Sequence, residues 1–416
     1  MATDVQPPKQ PERAVPDVSL DDILAARELL GGVVDPTPLE TSRWLTDRVG
    51  GPAYLKCENL QRTGSFKIRG AYVRISRLSP EQRAAGVVAA SAGNHAQGVA
   101  LAASLLGIKA TVFMPEGAPI PKEKATRGYG ADVRFAGNSI DEALVTAQEF
   151  GAETGAVLIH PFDHEDVVAG QGTVGLEIVD QCPDVKTVVV PCGGGGLVAG
   201  IGVAIKALRP QATVVAVQAE MAAAYPASLA AGRPLAVNDM ATMADGIAVG
   251  MPGRVPFTQV QRCVDDVRTV SEESLSTALL LLLERAKVLV EPAGAASVAA
   301  MLDAPRAFEP PVVAVLSGGN IDPLLLLRVI RHGLSAASRF LSFSVTIPDR
   351  PGALAQLLTE LGQAQANVLD VVHARTSAQL HLDEVEVALQ VETRGATHAD
   401  AVLDKLHQAG YPLTFS

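Results

Sequence analysis

The stretch "ENLQRTGSFKIRG", residues 58–70, holds one amine in an unusual setting. Lys67 stands between Phe66 and Ile68, with Gly64 and Ser65 just ahead. Taken alone, it is either a solvated lysine behind a Gly-Ser helix cap or an amine kept inside a site as a nucleophile. Further on, "PCGGGGL" sets Gly193, Gly194, Gly195 and Gly196 between an apolar run and an Ala/Gly-rich stretch. Without side chains, successive N–H groups there can converge on an anion at a helix start. No acidic residue follows in the dinucleotide pattern, and no Lys-Ser/Thr follows as in a Walker loop. The nest therefore suits a single phosphate monoester.

Three more loops carry polar groups at the ends of apolar runs. "SAGNHAQG" places Ser91 and Asn94 at the C-terminal edge of a parallel strand, where open α/β sheets bind ligands. Asn94 there is a capping residue or a site residue. "VLSGGN" puts Ser317 at another strand end, without the Gly-x-Ser-x-Gly elbow of a serine nucleophile. "VEPAGAA" sets Glu291 before a small-residue helix, as a cap or as a carboxylate of the site. An amine, a phosphate nest and a hydroxyl match the three handles of pyridoxal phosphate: its aldehyde, its phosphate and its ring nitrogen. The spacings alone do not select these residues.

The elements that must position these loops alternate. From about Asp21 to Pro323, continuous apolar strands ("GVVAAS", "ATVFM", "TVVVP", "TVVAVQA", "VVAVL") are followed by Ala-rich helical stretches. That order requires a parallel sheet covered on both faces, an α/β fold. The segment near 60–165 reads as a smaller subdomain inside a catalytic region of residues 19–325. Residues 326–338 read as a linker helix. From 339 to 416 the style changes. "FLSFSVTI" alternates Leu341, Phe343, Val345 and Ile347 against Ser342, Ser344 and Thr346. Two helices and three more strands complete a ferredoxin-like βαββαβ order. Pro351 marks the start of the first helix, whose stripe is Leu354, Leu357, Leu358 and Leu361. Residues 1–18, Pro-rich and polar, are expected to be disordered.

The chain has 416 residues, 48% hydrophobic, and a formal net charge of -11, which argues against wholesale nucleic-acid binding. Cys57, Cys182, Cys192 and Cys263 form no CxxC pair, so free thiols in a reducing, cytoplasmic setting are expected. Apolar runs are broken by charge before membrane-spanning length.

"KCENLQRTGSFKIRG", "SAGNHAQG", "PCGGGGL", "EPAGA" and "LSGGN", in that order, resemble the fold-type II pyridoxal-phosphate enzymes of the tryptophan-synthase-β group, and within it the threonine dehydratases (threonine ammonia-lyases). The resemblance implies a two-subdomain parallel-sheet catalytic region with pyridoxal 5'-phosphate as cofactor. It implies that Lys67 carries the cofactor and acts on the substrate, with Ser91 and Asn94. Cofactor contacts would come from Phe66, Lys67, Asn94, Gly193, Gly194, Gly195, Gly196, Leu197, Gly246, Glu291 and Ser317. The implied reaction converts L-threonine to 2-oxobutanoate and ammonia, and L-serine to pyruvate, as a first step toward isoleucine. A catabolic serine/threonine dehydratase, a related lyase or racemase, and a non-catalytic amino-acid-binding regulator are the alternatives. Ala92 stands where racemases of the group place a serine base. "AEMAAAYP" keeps Glu220 but has Pro226 where a distal metal ligand would lie, so no metal is expected. The tail resembles an ACT domain through "IPDRPGALAQL". That implies regulation by isoleucine or valine near Asp349, Pro351, Gly352, Ala353 and Asn367, in a homodimer or homotetramer.

Overall fold

The computed structural model describes residues 15–237, 240–375, 381 and 383–415. They divide into one unit of residues up to 278 with 285–322, and another of 279–284 with 323 onward. The architecture is the expected one: a two-sheet α/β region and a separate βαββαβ unit.

In the first unit the larger sheet runs, edge to edge, through Leu39–Thr41, Ala53–Lys56, Val312–Val315, Thr187–Pro191, Thr213–Ala219 and Asp266–Val270. Only the first pair is antiparallel. Thr187–Pro191 and Val312–Val315 are buried at every position, as strands covered on both faces must be. The smaller sheet runs Asp132–Phe135, Ala110–Met114, Val87–Ala90, Val157–Leu158, all parallel.

Each sheet has a point where successive crossovers turn opposite ways. In the larger sheet it lies between Thr187–Pro191 and Val312–Val315; in the smaller, between Val87–Ala90 and Val157–Leu158. Loops leaving the C-terminal ends of such neighbouring strands diverge and leave a crevice. The four loops in question begin at Cys192, Leu316, Ser91 and Ile159, so topology places "CGGGG", "LSGG", "SAGN" and "IHPF" at the two crevices.

Of the tail expected to be disordered, residues 1–14 lie outside the described residues. Its end is ordered, contrary to expectation. Val18 is buried in the main core, and the Asp17 carboxylate accepts from Gln259 (2.8 Å) and Arg262 (2.6 Å). Ser19 then caps helix Leu20–Leu29 with a capping box closed by Asp22.

The second unit carries helix Pro323–Ala336 and an antiparallel sheet ordered Asn367–Ala374, Glu384–Glu392, Phe340–Pro348, Leu413–Thr414. One face buries Phe343, Val345, Ile347, Val385, Val387, Leu389 and Val391 against Leu357, Leu361, Val402 and Leu406. The first helix begins at Ala353 rather than Pro351. Gly352, at φ +92°, is its N-cap, a left-handed conformation glycine takes without steric cost.

Candidate active site

A cavity of about 440 Å³ opens in the first unit, and all twelve residues singled out in the sequence line it. Lys67 begins helix Lys67–Ser76. Of the two readings of this stretch, the Gly-Ser cap is not made: the helix has no side-chain cap, and the Ser65 hydroxyl is buried without a partner among the described residues. The Lys67 loop is instead strapped to the Ser317 loop. Phe66 N–H donates to Ser317 O (3.2 Å), Gly319 N–H to Gly64 O (2.9 Å), and Asn320 Nδ2 to Thr63 O (2.7 Å).

The Lys67 amine donates to Pro161 O (3.1 Å) and lies 5.1 Å from the Phe66 ring centre. Dense surrounding protein pushes its pKa down to about 8, a fall that the Glu291 charge opposes. Its amine is thus partly neutral near physiological pH, as a nucleophile or base requires.

Asn94 and Glu291 stand at helix starts, yet neither caps. Asn94 opens helix Asn94–Leu105, and Glu291 precedes helix Pro292–Asp303, both without a side-chain cap. They turn into the cavity and meet: Asn94 Nδ2 donates to Glu291 Oε1 (2.6 Å), while Asn94 Oδ1 accepts from Asn320 (2.8 Å). Glu291 is 2% exposed and its Oε2 has no partner among the described residues. Burial, aided by the Asp245 charge, raises its pKa to about 7, against the pull of Lys122 and the Asn94 bond.

The glycine run opens helix Gly196–Leu208, with Gly195 at φ +96°. Its walls exclude side chains. A Cβ on Gly194 would stand 2.5 Å from the Phe162 ring, and one on Gly195 1.8 Å from Tyr225 Oη. Gly246 is hemmed in likewise: a Cβ there would lie 2.9 Å from Ala293 Cβ and 3.5 Å from Glu291 Oε1. Ser91 Oγ accepts the Gly93 N–H (3.1 Å) and shapes that turn.

Several lining residues had no signal in the sequence. His160 is one: its Nδ1 accepts from the Phe162 and Asp163 amides (3.3 and 2.8 Å), and burial holds its pKa down to about 4. His95, which the "SAGNHAQG" loop does mark beside Asn94, bonds to Ile159 O (2.8 Å) and is pushed to about 3 by burial and by Lys67. Both rings are neutral at physiological pH and hold loops in place. Lys122 and Asp245 pair at 2.6 Å on the cavity wall. Asp245 adjoins Gly246, the one local hint that could have found it.

The residues present fit pyridoxal phosphate. A side-chain-free nest at a helix start suits a phosphate, a depressed lysine suits an aldehyde, and an orphaned carboxyl oxygen leaves one polar valence for a ligand.

Residues 31–318 match the profile of the pyridoxal-phosphate dependent enzymes, and residues 342–410 that of the ACT domain. An L-threonine ammonia-lyase of Thermotoga maritima is 47% identical over 394 residues, 95% of this chain and 98% of that protein. The crystal structure of a threonine deaminase from T.th. aligns with a TM-score of 0.70 at 43% identity, covering 73% of this chain and 99% of that one. Maize serine racemase aligns with a TM-score of 0.71 at 35% identity, covering 77% and 99%.

Proposed function

The chain belongs to the pyridoxal-phosphate-dependent enzymes, and from that premise we propose that it is an L-threonine ammonia-lyase, forming 2-oxobutanoate and ammonia, and pyruvate from L-serine. The cofactor is pyridoxal phosphate, which when bound accepts the electron pair left at Cα as a proton departs. Lys67 would hold its aldehyde carbon. Gly193, Gly194, Gly195, Gly196 and Leu197 would hold its phosphate. Phe66, Asn94, Gly246, Glu291 and Ser317 would surround its ring. Ser317 supplies a hydroxyl and no charge.

Lys67, with its amine at about pKa 8, serves as the base that takes the Cα proton. Ser91 and the amides of residues 92–94 receive the substrate carboxylate. Ala92 lines the same wall and has no group to return a proton, which favours elimination over racemisation. The observation that carries this reading is the meeting, in one cavity, of a depressed lysine, a glycine nest at a helix start and the inward-turned Asn94–Glu291 pair. Holoenzyme should be incubated with L-threonine or L-serine in chelator, and ketoacid, ammonia and D-serine measured. Ketoacid with matching ammonia is expected. Substantial D-serine, or activity absent until magnesium is added, would replace this reading by a racemase or a metal-dependent lyase.

The ACT-like unit supports regulation by a free amino acid, and isoleucine, antagonised by valine, is the proposed effector of a cytoplasmic dimer or tetramer. Gly352 leaves backbone open at a helix start, beside Asp349, which Arg375 grips at 3.0 Å. Calorimetric titration of the full chain with isoleucine and valine checks this. Heat with either one is expected; silence with both would leave the unit without that role. Among the described residues no helix is long and apolar enough to cross a membrane.

A further inference from the structure

The backbone fixes where His160 carries its hydrogen. The ring's Nδ1 accepts from the Phe162 and Asp163 amides, at 3.3 and 2.8 Å. A backbone N–H can only donate, so Nδ1 must hold a lone pair, and the hydrogen of the neutral ring stands on Nε2. Burial, with the Lys67 charge nearby, keeps the ring neutral against the pull of Asp163. The turn that sets this tautomer is tied to the site at two points. The Lys67 amine donates to Pro161 O, and the Phe162 ring, perpendicular to the imidazole with centres 4.6 Å apart, is the wall that a side chain on Gly194 would strike. The imidazole lines the cavity, and its Nε2–H has no partner among the described residues.

We propose that His160 donates its Nε2–H to the β-oxygen of a hydroxy-amino-acid substrate and holds that oxygen as it leaves. The other polar groups of the substrate already have places. The α-amine goes to the cofactor carbon that Lys67 holds, and the carboxylate to the Ser91–Asn94 turn. What remains on threonine or serine is one hydroxyl oxygen, an acceptor. It stands one carbon from the Cα whose proton Lys67 takes, and His160 directly precedes the residue whose carbonyl the Lys67 amine touches. When the Cβ–O bond breaks, its electron pair stays on the oxygen. A donor already fixed in the wall bonds the departing oxygen more strongly than the intact hydroxyl, so its effect falls on the rate more than on binding. The ring keeps its own hydrogen throughout. The departing hydroxide and the Cα proton taken by Lys67 together make one water, so the step needs no further reactant.

This inference rests on the reading of the chain as a lyase of hydroxy amino acids, and the test separates the two. Initial rates of ammonia release by holoenzyme are measured with L-threonine, L-serine and β-chloro-L-alanine, whose chloride leaves readily without a hydrogen-bond donor. His160→Asn keeps an oxygen for the two amides but lacks the reach of Nε2. Its kcat with threonine and serine should fall about thirtyfold or more, and with β-chloro-L-alanine no more than about threefold. His160→Gln carries an N–H donor further out and should regain about tenfold of the loss with the hydroxy acids. An unchanged visible cofactor band in both variants shows that the Lys67 turn is intact. Equal loss with all three substrates, unchanged serine turnover in His160→Asn, or no gain in His160→Gln would overturn the proposal and leave the ring as a brace of its turn. Wild-type enzyme that releases ammonia from β-chloro-L-alanine and none from threonine or serine would instead fail the assigned reaction, and the proposal with it.

Discussion

Two groups of charges in the first unit each draw one cation from the Lys67 helix, and each has two cations and two anions. The first joins Lys56, Glu58, Arg69 and Glu177; the second, around the cavity, joins Lys67, Lys122, Asp245 and Glu291. In the first, nearly every valence is met internally. Arg69 grips Glu58 through two nitrogens (2.8 and 2.9 Å) and Glu177 through a third (2.6 Å). Lys56 donates to Glu177 (2.6 Å), Thr37 O (2.8 Å) and Gln181 (2.9 Å). Burial pushes Glu177 up, but Arg69 and Lys56 outweigh it and hold its carboxyl below the usual range. In the second group the Lys67 amine donates to a carbonyl, Glu291 keeps one oxygen unpartnered among the described residues, and both are pushed toward their neutral forms. The first arrangement fixes the helix that carries Lys67. The second leaves its polar capacity for a ligand.

Lys67→Ala tests the second group most severely. It should cost roughly 10⁴-fold or more in ketoacid formation, about 5 kcal/mol of barrier. The visible band of the bound cofactor should vanish, while the folded protein's denaturation midpoint moves little. Normal turnover in this variant would end the assignment.

Arg69→Met should show the opposite signature. It leaves Glu58 and Glu177 short of a counter-charge, and breaking a buried pair from one side costs about 3–5 kcal/mol. Urea unfolding of the cofactor-free protein reads this directly. A loss below about 1 kcal/mol would erase the contrast between the two groups.

Gly195→Ala probes the nest. The residue sits at φ +96°, and the added methyl meets Tyr225 Oη at 1.8 Å. Left-handed strain of about 1–2 kcal/mol adds to overpacking of about 1–3 kcal/mol, so cofactor affinity and stability should fall by about 3 kcal/mol together. Adding Tyr225→Phe should recover the part due to the hydroxyl. No recovery would assign the whole loss to backbone strain.

The first group and the nest differ in how far the sequence shows them. Glycine runs at strand ends mark the nest and the "SAGN" and "LSGG" turns, because a missing side chain leaves a local trace. The parallel layout and the alternating face of Phe340–Pro348 are equally local, being written in period and run length. Lys122, His160 and Phe162 leave none, and Asp245 only its place beside Gly246. "PKEKA" reads as an ordinary charged helix, and "LIHPF" as the end of a strand. His160 and Phe162 reach the cavity because the strand order reverses beside Val157–Leu158, a fact about crossovers between segments far apart in the chain. The short strands Leu39–Thr41 and Ala53–Lys56 were equally silent, their "LET" and "AYLK" too brief for a pattern. Glu291 shows the limit from the other side. Its position before a helix is what a cap would have, and only the structure shows the carboxyl turned to Asn94.

Glu291→Gln gives the smallest effect and the finest test of the contrast. In the folded protein its pKa is raised to about 7, from an ordinary 4.5. Between those values the native state binds more protons than the unfolded chain, so this residue makes stability fall as pH rises. At pH 4 both states are protonated and the penalty is near zero. By the linkage relation it grows to about 2 kcal/mol at pH 6 and about 3 kcal/mol at pH 8. Glutamine keeps an oxygen for Asn94 and carries no charge, so the variant should match the wild type at pH 4 and exceed it progressively above. The comparison belongs on cofactor-free protein, since ligand binding adds its own stabilisation. Subtracting one unfolding curve from the other removes titrations common to both. The same subtraction for Glu177→Gln should run the opposite way: its carboxyl is held low, so its charge stabilises and the variant loses stability above the ordinary carboxylate range. Parallel wild-type and Glu291→Gln curves from pH 4 to 8 would show that this carboxyl ionises as freely as a surface one, and that the cavity group is satisfied after all.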